Sequence, residues 1–194
     1  DLIFILDDSG SMKNNYDKVK TSCYEILDAM IGTGLSSDFY IGFVRFGTDS
    51  EIIGSIRNSY TYELNRIKDE IAQKYGKGGG TYYNKAFITT QQLIRSDLGI
   101  GFNDRYRVII FMTDGNPHDA GIDELRELRD VYNVKGLYLI RFGNEPIDIL
   151  KEMKDMFIPN SELLSADASN LTDTFKDILY RINESKPEEV ETVN

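Results

Sequence analysis

Four short apolar runs constrain this chain more than any other feature: Leu2 to Leu6, Phe39 to Phe46, Tyr106 to Met112 and Gly136 to Phe142. Each is rich in β-branched or aromatic residues, as strands are, and runs so continuously apolar leave no face for water. Between them the apolar positions recur at three and four residues. Val19, Cys23, Ile26, Leu27 and Met30 form one such stripe; Leu64, Ile67 and Ile71 a second; Leu125, Leu128 and Tyr132 a third; and Leu171, Phe175, Ile178, Leu179 and Ile182 the last. That spacing is helical. Strands alternating with helices predict an α/β fold, Rossmann-like and doubly wound, whose mainly parallel central sheet carries helices on both faces. Glu51 to Gly54 follows the second run too closely for a helical crossover, so it is expected as one short antiparallel edge strand.

Length and charge narrow the classes of function. At 194 residues the chain suits one domain, expected over 1–184. The closing ESKPEEVETVN has no apolar stripe and contains a proline, so residues 185–194 are expected to form an acidic linker or tail. Acidic residues outnumber basic ones 32 to 22, a net charge of -10, which argues against nucleic acid and against direct binding to an anionic membrane. No apolar run approaches the roughly 20 residues that span a bilayer. A single cysteine, Cys23, forms no internal disulfide and falls on the first apolar stripe, where a core role is expected. The localisation is left open, with extracellular or cell-surface and cytoplasmic settings both compatible. The chain starts inside an apolar run without an initiator Met, as expected for part of a longer chain.

Chemistry is expected where strands end. In an open parallel sheet, ligands bind at the carboxyl ends of strands, near the point where strand order reverses. Asp7 directly follows LIFIL and Asp114 follows RVIIFMT. If those strands are neighbours, about 4.8 Å apart, the two carboxylates converge, and they repel unless a proton or a cation stands between them. Asp7, Ser9 and Ser11 fall on alternate residues around the turn that Gly10 allows, and Gly78, Gly79 and Gly80 deliver Thr81 at the mouth of a following helix. Carboxylates and hydroxyls without His or Cys are a hard donor set, suited to Mg²⁺, Mn²⁺ or Ca²⁺. Alone, DDSGS is equally a turn whose Asp and Ser cap the next helix. Joined to Thr81 and the Asp114 segment, it favours a cation. Asp8, between the candidate ligands, is expected as a solvated turn residue.

The segments DLIFILDDSGSM, GGGT and FMTDGNP resemble the von Willebrand factor A (VWA) domain and its metal-ion-dependent adhesion site (MIDAS). The family's Asp-x-Ser-x-Ser motif fits Asp7, Ser9 and Ser11, its threonine fits Thr81, and its Thr-Asp-Gly segment fits Thr113, Asp114 and Gly115. LYLIRFGNEP and the closing amphipathic stripe extend the likeness over roughly residues 1–183. The resemblance implies that Ser9, Ser11 and either Thr81 or Asp114 touch the ion directly, and that a carboxylate from a partner protein fills its remaining position. Asn116 and His118 then fall on the partner-binding rim.

Enzyme motifs fit less well. A phosphoryl-transferring aspartate enzyme needs a second acid where Ser9 stands, and GKGGGTYYNK has its lysines misplaced for a P-loop. An EF-hand needs Glu where Lys18 stands. His118 is the only imidazole, and neither motif serine sits in a nucleophile elbow. The reading is therefore a non-enzymatic, divalent-metal-dependent protein-binding domain of the adhesion type. The alternative is a structural or regulatory module in an intracellular assembly, its metal site stabilising the fold or coupling to an ATPase partner.

Overall fold

The computed structural model describes residues 1–32, 40–56, 61–98 and 105–184, so Phe39 and the expected tail at 185–194 lie outside the described residues. Six strands form one sheet: β1 Leu2–Asp7, β2 Ile41–Phe46, β3 Ser50–Ile56, β4 Arg107–Thr113, β5 Val134–Phe142 and β6 Ser161–Ala166, in the order β3-β2-β1-β4-β5-β6. Every pairing is parallel except β2 with β3, which is antiparallel at the edge. β1, β2 and β4 are buried along nearly their whole length because both faces are covered.

Side chains alternate across a strand, and β1 divides accordingly. Phe4 and Leu6 enter one core with helices α1 (Tyr16–Gly32), α2 (Thr61–Lys74) and α6 (Leu171–Glu184), through Val19, Ile26, Ile67, Ile71, Phe175 and Ile178. Ile3 and Ile5 enter the other with α3 (Tyr83–Leu93), α4 (Ile122–Asp130) and α5 (Ile149–Asp155), through Phe87, Leu125, Leu128, Leu150 and Met153. Cys23 is buried in the first core, where burial pushes its thiol up to about 12. None of the described helices is long and apolar enough to cross a membrane.

The expected stripe Leu125, Leu128, Tyr132 is split by the structure. α4 ends at Asp130, the amides of Val131 and Tyr132 both donate to the Glu127 carbonyl, and Asn133 takes a φ of 56°. A residue in the left-handed region stops a helix, so Tyr132 is buried beyond its end and β5 starts at Val134, two residues before the apolar run. β6 and α5 were not anticipated from the sequence.

Candidate metal centre

Strand order reverses between β1 and β4, and Leu6 lies opposite Met112, so the chain places Asp7 beside Thr113 at the carboxyl edge of the sheet. Asp7 is fully buried. Its Oδ1 accepts the Ser9 amide at 2.8 Å; its Oδ2 accepts the Thr113 hydroxyl at 2.7 Å and the Asp114 amide at 3.4 Å. From this base a chain of oxygens runs outward. Ser9 Oγ and Ser11 Oγ are 3.0 Å apart, and the Ser11 hydroxyl donates to Asp114 Oδ1 at 2.8 Å. Thr81, buried, lies beside the same turn: a side chain on Gly115 would begin 3.9 Å from Thr81 Oγ1.

Three tyrosines fix this arrangement from below. The Tyr75 hydroxyl donates to the Asp7 carbonyl at 2.6 Å, and Tyr16 bridges the carbonyls of Asp8 and Ser9 at 2.7 and 2.8 Å. Tyr83, the first residue of α3, donates to the Gly115 carbonyl at 2.6 Å and to Thr113 Oγ1 at 3.2 Å. A 3-10 turn over Gly10–Asn15 then leads into α1 and leaves the Ser11 side chain exposed at the surface of the site. These tyrosines were not singled out in the sequence, because helix-facing aromatics read as core and nothing local marks their hydroxyls as anchors.

The electrostatics follow from burial. Burial raises the Asp7 carboxyl from 3.8 to about 6; bonds from Ser9 and Thr113 oppose the rise, and the nearby Asp114 adds to it. Asp114 is raised as well, again chiefly by burial, against the Ser11 hydrogen bond. Two carboxyls held together and resisting ionisation are a place where a cation replaces protons favourably. The donors fit a hard ion: two carboxylates and the hydroxyls of Ser9, Ser11 and Thr81, with no imidazole or thiol. Among the described residues no group of three or more His, Cys, Asp or Glu side chains is placed to hold a metal, so hydroxyls must complete any such site here.

Asp8 departs from expectation. Instead of facing solvent it is fully buried: the chain turns it away from the donor cluster and under the glycine loop, where Oδ2 accepts the amides of Lys77 at 2.9 Å and Gly76 at 3.2 Å, 3.6 Å from the Arg45 guanidinium. The two residues expected on the rim, Asn116 and His118, are both exposed. Asn116 donates from Nδ2 to the Pro146 carbonyl at 3.2 Å, and His118 stacks on Tyr82 with ring centres 4.9 Å apart.

The family model of the von Willebrand factor type A domain matches residues 1–178, and the chain belongs to that family. Among solved structures, proximal thread matrix protein 1 from the mussel byssus is 21% identical, with a TM-score of 0.70 over 92% of this chain and 46% of that one. The pilus adhesin SpaC from Lactobacillus rhamnosus GG, in an open conformation, is 15% identical, with a TM-score of 0.71 over 93% of this chain and 30% of that one. The mussel protein is also known with a zinc-occupied MIDAS motif; that structure is 17% identical, with a TM-score of 0.68 over 93% of this chain and 45% of that one. At these identities the likeness establishes the fold, and this chain spans less than half the length of each of these neighbours.

Proposed function

We propose that Asp7, Ser9, Ser11, Thr81 and Asp114 hold a divalent cation, Mg²⁺ or alternatively Mn²⁺ or Ca²⁺, and that the ion binds an aspartate or glutamate of a protein partner. The observation that carries this reading is the run of bonded oxygens from Ser9 through Ser11 to Asp114, with Asp7 bonded to the Ser9 amide behind it. Five oxygen donors leave a six-coordinate dication one position open toward solvent, and its two acidic donors balance its charge without exceeding it. A surface of net charge -10 repels an acidic partner, so a bound cation is what makes such a partner attractive. The zinc-occupied site of the mussel protein and the adhesive role named for SpaC support the same reading.

The role is binding, not catalysis. Neither motif serine is bonded to the only imidazole: Ser9 and Ser11 bond each other, and His118 lies stacked on Tyr82. Thermal melts in EDTA, Mg²⁺, Mn²⁺ and Ca²⁺ test the site without knowledge of the partner. A ligand at 100 times its Kd stabilises the folded state by about 2.7 kcal/mol, so at least one ion is expected to raise the wild-type midpoint and to leave Asp114→Ala unmoved. Identical midpoints in EDTA and in all three ions would sink the reading.

A further inference from the structure

The loop that delivers Thr81 is tied down at every residue. The amides of Gly76 and Lys77 donate to Asp8 Oδ2, and the amide of Gly78 to the Asp8 carbonyl at 3.0 Å; the carbonyl of Gly79 accepts the Gly10 amide at 2.9 Å, and the amide of Gly80 donates to Thr48 Oγ1 at 2.7 Å. Three of these five ties end on Asp8. Gly76, Gly78 and Gly79 all have φ between 82° and 104°, a region that glycine alone enters freely, and the loop's one side chain, Lys77, reaches back to the Gln73 carbonyl at 3.1 Å and away from the turn, so side chains of the loop do not hold that path. Its shape is imposed from outside.

The anchor is itself costly. Asp8 Oδ1 is buried with no hydrogen-bond partner, and burial raises the Asp8 carboxyl. Its cation, Arg45, is buried on β2 and shared with Asp49 at 2.8 Å and Glu51 at 2.9 Å across the β2-β3 edge. The junction has no slack: a methyl on Gly47 would lie 2.6 Å from the Gly78 carbonyl and 3.0 Å from Asp8 Oδ1.

We propose that Asp8 is a positioning residue of the metal site, contacting no ion but setting the path of the glycine loop so that Thr81 meets the cation. The proposal rests on the cation reading above and goes beyond it by making affinity depend on Asp8 through Thr81. Calorimetric titration with Mn²⁺ of wild type, Asp8→Ala, Asp8→Asn, Thr81→Ala and the double variant Asp8→Ala/Thr81→Ala tests it. Removing a support of this kind weakens metal binding about 10-fold or more, so Asp8→Ala is expected to lose that much. Asp8→Asn keeps an acceptor for the loop amides and is expected to restore affinity to within about threefold of wild type, which a purely electrostatic role would not allow. In the Thr81→Ala background, Asp8→Ala is expected to add less than about twofold, because coupled residues are not additive.

Wild-type affinity in Asp8→Ala, an Asn variant as weak as the Ala variant, or an undiminished effect without Thr81 would each overturn the proposal. If Asp8→Ala does not fold, Gly47→Ala wedges the same junction while leaving Asp8 in place. It is expected to weaken Mn²⁺ with Thr81 present and not without it, and equal losses in both backgrounds overturn the proposal. Absence of Mn²⁺ binding by wild type removes the cation reading and this inference together, whereas wild-type binding with an unresponsive variant series removes this inference alone.

Discussion

Asp7 carries its charge where the fold least accommodates it, fully buried at the end of β1 with its carboxyl raised to about 6. A carboxyl raised in the folded state is protonated in both states below about pH 4, ionises first in the unfolded chain, and costs the fold stability as pH rises through about 6. The shift from 3.8 corresponds to roughly 3 kcal/mol, lost between about pH 4 and pH 7. Asp7→Asn removes the ionisation while keeping Oδ1 for the Ser9 amide; Thr113 then accepts from Nδ2 and turns its hydroxyl to the Gly115 carbonyl, 3.3 Å away, and the long 3.4 Å bond from the Asp114 amide is lost equally at every pH. In EDTA, urea unfolding is therefore expected to show the wild type losing ground to Asp7→Asn as pH rises across that window. Parallel curves would contradict the assignment. Stabilisation by Mg²⁺ is expected to grow over the same window, since the ion takes the place of the proton. Asp7, Ser9, Ser11 and Asp114 were legible because side chains at strand ends carry their chemistry in their own letters. Asp8 was not, because its partners are backbone amides 68 and 69 residues away, and every sequence has amides.

Among the elements, α6 shows how far periodicity reaches. Leu171, Phe175, Ile178 and Ile182 are buried at the spacing the sequence displays, and Phe175 meets Phe4 of β1 edge-on with ring centres 5.5 Å apart. Thr172 adds a buried bond to Ser22 of α1 at 2.9 Å. Deleting a buried phenylalanine side chain costs about 3 to 5 kcal/mol, while exposed positions fall within about 0.5. Phe175→Ala is accordingly expected to lower the unfolding free energy in urea by the larger amount, and Tyr180→Ala, on the solvent side of the same helix, by the smaller. Comparable losses would mean that α6 is not docked as the structure has it. The elements that escaped notice are those whose period is cut short. In β6, SELLSA, burial comes only at its two ends and between them it is an edge strand with Leu163 exposed. α5 has seven residues and buries only Leu150 and Met153, too few to display a stripe.

Across the whole molecule acidic residues outnumber basic ones 32 to 22, and two of the 32, Asp7 and Asp114, meet at one edge of the sheet. Such a surface concentrates divalent cations before any ligand touches them, and the long-range part of that attraction is screened as the Debye length falls from about 10 Å at 0.1 M salt to about 3 Å at 1 M. Short contacts between an ion and its oxygens are not screened in this way. Mg²⁺ affinity is therefore expected to weaken several-fold between about 0.02 M and 0.5 M KCl, with the same slope in Thr81→Ala, which loses a donor and no charge. Asp114→Ala is expected to show a shallower slope as well as weaker binding, because it removes a charge at the shortest range. Calorimetric titrations across the salt series separate the two contributions. If wild-type affinity is unchanged across the series, the surface charge has no part in ion capture, and the five donors alone set the affinity.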